Sequence, residues 1–118
     1  MLINIINQLK TGKIKNVVAY GAGALPATPY VVVRIQKDPL ERGRLIRLFV
    51  HFAPGSNIFL EDYVLDDLST LLNGFTFQTR HGNTQKVEFI DDYGEVVPDN
   101  DDKSISMERS FLVPGKLF

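Results

Sequence analysis

The chain contains no cysteine and no tryptophan. Without cysteine there is no disulfide framework, no thiolate nucleophile and no Cys-based zinc site, so stability must come from packing, which fits a reducing compartment. An excess of one charge is missing too: 13 Lys and Arg stand against 14 Asp and Glu, a formal net charge of -1. The whole-molecule field therefore offers no general attraction to nucleic acid or acidic membranes. No run approaches the roughly 20 apolar residues that cross a bilayer as a helix. Residues 1–9 are apolar but interrupted by Asn4, Asn7 and Gln8. They have no basic start and no small-residue cleavage site, so no signal peptide is expected and synthesis in the cytosol is.

What is present suits a globular protein. Hydrophobic residues make up 44% and charged residues 23% of 118 positions, and eight Phe with four Tyr supply bulky core material. That length supports one domain, residues 1–118, with a core of its own. Leu2, Ile3, Ile5, Ile6 and Leu9 fall on one broad side of a helix, and Gly12 stands where a left-handed C-terminal residue is wanted. The run NVVAYG reads as a strand, and GAGALPATP, with Gly23, Pro26 and Pro29, excludes regular structure after it and reads as a flexible loop. YVVVRIQ is rich in β-branched residues, and Ile46, Leu48, Val50 and Phe52 alternate with Arg47, Phe49 and His51. DPLERG between them predicts a turn and hence an antiparallel hairpin.

After APGSN, in which Ser56 or Asn57 is placed to cap a helix, Leu60, Val64, Leu68, Leu71 and Leu72 follow helical spacing, ending near Asn73 and Gly74. Glu61 and Asp62 suit the positive start of that helix. Phe75 and Phe77, the turn RHGNTQ, and Val87 and Phe89 predict a second hairpin. Residues 91–102 read as a solvated, mobile acidic loop. Ile105, Met107, Phe111 and Val113 share one strand parity, with Arg109 the polar exception, before Pro114 and Gly115. The expected fold class is α+β: a mostly antiparallel sheet with two helices packed on one face.

Sites of chemistry are harder to find. Tyr20-Gly21-Ala22-Gly23 follows a strand as a phosphate loop does, but Pro26 replaces the third glycine and no helix follows directly. His51 and His81 belong to different elements with no partner at zinc-site spacing. Ser56 lacks the Gly-x-Ser-x-Gly elbow. Asp99, Asn100, Asp101 and Asp102 have oxygen ligands for calcium but neither the glycine nor the distal Glu of an EF-hand loop. Asp62 and Asp66 belong to the polar face that any amphipathic helix needs. No catalytic residue, metal site or cofactor is expected.

Charge asymmetry is the more informative pattern. Arg34, Arg42, Arg44 and Arg47 concentrate positive charge around the central hairpin, and the acidic segments at 61–67 and 91–102 concentrate the opposite sign. Such asymmetry can orient one copy against another, although intramolecular pairing explains any single residue as well. Arg109, with Asp99, Asp101 and Asp102, completes the candidate interface residues, since its parity places a charge among apolar neighbours or at a subunit boundary.

The N-terminal helix, YVVVRIQ and RLIRLFVHFAPGSN around a central turn, LEDYVLDDLSTLL as a helix and SISMERSFLVP as a closing strand resemble the small tail-completion proteins of long-tailed bacteriophages, the tail terminators. The resemblance implies a virion protein, made in the host bacterial cytoplasm, that forms a ring of six copies. The ring caps the tail tube, ends tail polymerisation and presents a joining surface to a head-completion or stopper protein. A closed ring needs heterologous contacts. DNA would pass through without sequence-specific binding, and GAGALPATP and residues 91–102 would be the reaching segments. Rival readings are another head-tail connector component (stopper or adaptor), a small-ligand-binding regulatory domain, and a hydrolase using His51 with a remote carboxylate.

Overall fold

Strand parity decides the architecture, because the longest strands alternate a fully apolar face with a mixed one. A computed structural model describes residues 1–53, 58–79, 81–91, 97–99 and 104–115, without the side chains of residues 58–62, 89–91, 97–99, 104 and 105. Its elements are α1 (Leu2–Leu9), β1 (Val17–Ala19), β2 (Tyr30–Lys37), β3 (Gly43–Phe52), α2 (Ile58–Leu72), β4 (Thr76–Gln78), β5 (Thr84–Lys86), β6 (Glu88–Asp91), β7 (Val97–Asp99) and β8 (Ser104–Pro114). The main sheet runs β1-β2-β3-β8-β6, with β7 also paired to β8, and β4-β5 form a separate small sheet. Apart from the parallel β1–β2 pair, its pairings are antiparallel, and the fold is α+β as the sequence predicts.

Register sets the two faces. Val31, Val50 and Met107 form one cross-strand row, Val33, Leu48 and Arg109 the next, and Ile35, Ile46 and Phe111 the third. Their apolar members join Ile5 and Leu9 of α1 and Leu65, Leu68 and Leu72 of α2 in one core. Both helices therefore cover the same face. Burying each such side chain stabilises the fold by about 1.5–3 kcal/mol. α1 is held to α2 by Gln8, whose Nε2 donates to the Leu71 carbonyl at 2.9 Å. Gly12 allows the close approach, because a Cβ there would lie 2.5 Å from Leu71 Cδ1.

The structure corrects several sequence expectations. The apolar side of α1 is narrower than its composition suggests: Ile5 and Leu9 are buried, whereas Ile3 is 64% exposed. Eight residues make about two turns, so only one i, i+4 pair reaches the core. The second hairpin forms, but its return strand is Thr84–Lys86, which begins inside the expected turn, with Phe77 opposite Gln85. Val87 closes that hairpin through backbone bonds with Gly74 and Phe75, both 2.8 Å. Glu88 and Phe89 then leave it to pair with Leu112 and Phe111 of β8. A period of two shows that a segment is extended, not which neighbour it joins.

The acidic segment is not wholly a loop. Val97–Asp99 pairs with β8 at Ser106, Ile105 and Ser104, so Asp99 lies in a strand. β8 outlasts β6, and the remaining stretch of its edge accepts this second short partner. Asn100, Asp101, Asp102, Ser56 and Asn57 lie outside the described residues, as do the side chains of Glu61, Asp62 and Asp99. The loop after β1 lacks regular structure as expected, with Gly21 and Gly23 at φ +81° and +91°.

Candidate docking interface

The face of the sheet away from the helices is where unusual side chains gather. Parity puts Tyr30, His51 and Ser106 in one row, Val32, Phe49 and Glu108 in the next, and Arg34, Arg47 and Ser110 in the third. Charges among aromatics on a sheet face that no helix covers need internal support, and each has it. The Arg34 guanidinium stands 4.7 Å over the Tyr20 ring. Arg47 stands 4.9 Å over Phe49, and its Nε donates to Glu108 at 2.6 Å. Tyr30 stacks on His51 with centroids 4.8 Å apart, and Ser106 Oγ lies 2.9 Å from His51 Nδ1.

Beside these rows the loop after β1 folds along the sheet and leaves an apolar groove of about 310 Å³, lined chiefly by Tyr20, Leu25, Val32, Phe49 and His51. Asn16 Nδ2 anchors that loop by donating to the Ala27 carbonyl at 3.0 Å. Tyr20 and Leu25 remain 61% and 59% exposed. Large apolar groups this open, rimmed by arginine, have the composition of a protein-contact patch.

The arginines singled out in the sequence separate into distinct settings. Arg34 and Arg47 are direct cross-strand neighbours on the open face. Arg42 instead closes the β2–β3 turn: its backbone N donates to Asp38 Oδ2 at 3.0 Å, its Nε to the same oxygen at 2.6 Å and its Nη2 to Oδ1 at 3.2 Å. Those bonds hold the Asp38 carboxyl below its ordinary range, against the opposing effect of burial. Arg44 is exposed near the turn end of β3, in the row of Lys37 and Val113. Arg109 has the parity read from the sequence: it is buried on the helix-covered face, with Nη2 3.8 Å from Asp66 Oδ1 of α2.

The histidines are apart as expected, His51 in β3 and His81 in the β4–β5 turn, and no metal-binding group of His, Cys, Asp or Glu occurs among the described residues. The contact between Ser106 and His51 is a Ser–His pair. Ser106 sits between β3 and β7, opposite His51 and Val97. Its neighbourhood is a regular ladder whose backbone donors serve the sheet, which disfavours an oxyanion hole at that hydroxyl.

No family model, curated protein or solved structure matches the chain. Function rests on the geometry.

Sequence reasoning missed Tyr20, Leu25, Val32 and Phe49 as a group. One signal was available: Leu45, Arg47, Phe49 and His51 share the outward parity of β3, which makes that face half apolar.

Proposed function

We propose that this chain is a structural virion protein of the tail-terminator kind. It assembles as a ring, six copies in the family it resembles, caps the tail tube of a long-tailed phage, ends polymerisation and offers a joining surface to a head-completion or stopper protein. The observation that carries the reading is the open sheet face. Both helices lie on the other side, and toward β1–β3 this face holds an apolar groove beside arginines stacked on aromatics, whereas Ser110 and Leu112 at its β8 side are buried. Such a surface suits docking to protein, where aromatic residues and arginine supply most of the binding energy. The net charge of -1 suits a ring through which DNA passes without being retained. Among the described residues no helix is long and apolar enough to cross a membrane.

The test is negative-stain imaging of the purified chain with and without tail tubes. Rings, or particles seated on tube ends, are the expected result. A chain that neither self-associates nor binds tube ends is not a terminator. One observation favours a second reading, a hydrolase: the 2.9 Å contact of Ser106 Oγ with His51 Nδ1. Turnover of an activated ester that disappears in both Ser106→Ala and His51→Ala would establish that reading instead.

A further inference from the structure

The tip of the β2–β3 hairpin holds an apolar side chain out in water. Leu40 is 72% exposed, more than any other large hydrophobic residue described. The turn beneath it is firmly built. Asp38 is buried and takes three hydrogen bonds from Arg42. Glu41, next to Leu40, adopts φ +58°, a left-handed conformation that costs a non-glycine residue roughly 1–2 kcal/mol. Strain of this kind persists where surrounding contacts over-determine it, and it clusters at binding sites.

The open-face groove lies at the other end of the same hairpin. It is bounded by Val32, Phe49 and His51, whereas the tip spans residues 38–42. Residues 32 to 40 along a strand cover roughly 25 Å at about 3.3 Å per residue, so a tip cannot fold back into its own groove. Arg34 stands at the groove's rim over Tyr20, and among the described residues no carboxylate pairs with it. Glu41 is exposed beside Leu40. Apolar group and carboxylate at one end thus match apolar groove and guanidinium at the other.

We infer that the occupant of the groove is the hairpin tip of a second copy of this chain, with Leu40 seated between Tyr20, Leu25 and Phe49 and Glu41 paired with Arg34. This rests on the assembly reading above and specifies its contact. Joining one end of a hairpin to the opposite end of the next is heterologous, the class of contact that closes rings or extends filaments.

Sedimentation of the full-length wild type, Leu40→Ser, Arg34→Glu, Glu41→Arg and the double charge exchange Arg34→Glu/Glu41→Arg tests the contact. Circular dichroism and thermal melting check that each variant folds. The wild type associates; Leu40→Ser and each single charge reversal weaken association by about tenfold or more, and the double exchange restores it to within about threefold. If the wild type assembles only on tube ends, the same variants are scored there by particle mass. A folded Leu40→Ser protein that assembles like wild type overturns the contact and leaves the assembly reading standing. So does a double exchange no better than the singles. Loss of tube capture with unchanged self-association assigns the tip to the tube protein and overturns the contact. A wild type monomeric both free and on tubes removes contact and assembly reading together.

Discussion

Gly43 opens β3 at the base of the turn that carries Leu40, and replacing it with alanine separates two effects that are usually confounded. Gly43 has φ +154°, and a Cβ there would lie 2.1 Å from the Val113 carbonyl oxygen and 2.9 Å from Pro114 Cα. Both are backbone atoms of β8, so no rotamer change relieves the clash, and the β3–β8 ladder must open by roughly 1 Å at that end. Overpacking of this kind costs about 1–3 kcal/mol, and the strained φ adds about 1–3 kcal/mol. We expect Gly43→Ala to lose roughly 2–6 kcal/mol, and at about 4 °C per kcal/mol its melting temperature falls by roughly 8–24 °C.

Gly82 is the control, since it has φ +83° but a Cβ added there would meet no atom within 4 Å. Gly82→Ala therefore loses only the dihedral term, roughly 1–2 kcal/mol. Urea unfolding at one fixed protein concentration measures both, because self-association would otherwise shift the midpoints. Equal losses in the two variants would refute the claim that close approach of β8 dictates glycine at position 43.

Two further outcomes follow from the packing and the turn. Leu68 is fully buried between α2 and the sheet, so Leu68→Ala should cost about 2–5 kcal/mol, while Tyr63→Ala on the exposed side of α2 should stay within about 0.5 kcal/mol. Urea midpoints of the two variants check this. The Asp38 carboxyl is held below its ordinary range mainly by side-chain bonds from Arg42. Its folded pKa is depressed, so its contribution is present above about pH 4, near the unfolded value, and is lost as pH falls through the folded value. Midpoints measured from pH 2 to 7 should show wild type losing more stability below about pH 4 than Asp38→Asn. Parallel curves would contradict the assignment.

Much of the fold was legible. Ile46, Leu48, Val50 and Phe52 announced a strand with one apolar face, and Leu68 and Leu72 are buried on α2 where helical spacing puts them, whereas Val64 and Leu71 are half-buried and Leu65, outside the stripe read from the sequence, is fully buried. The parity of Arg109 with Met107 and Phe111 also held, which placed that charge on the helix-covered face. The interface arginines were less legible. Four arginines close in sequence fall on the open face (Arg34, Arg47), in the turn (Arg42) and on the opposite parity near the turn (Arg44), and their proximity along the chain concealed this because successive strand residues point to opposite sides. Leu40 carried no sequence signal of its own, being one apolar residue in a polar turn.

Local chemistry by itself determined where the two helices and the long strands lie, since periodicity and turn residues act over a few neighbours, but not the short strands Thr84–Lys86 and Val97–Asp99. It also excluded disulfides and Cys-bound metal, because the needed atoms are missing. Tertiary structure alone decided which strands pair, that Glu88 and Phe89 join β8 instead of Phe75 and Phe77, and that Tyr20, Val32, Phe49 and His51 share one groove. The physical reason is that an extended segment exposes the same backbone donors and acceptors to any partner. Only burial against the rest of the chain makes one register lower in free energy than the others.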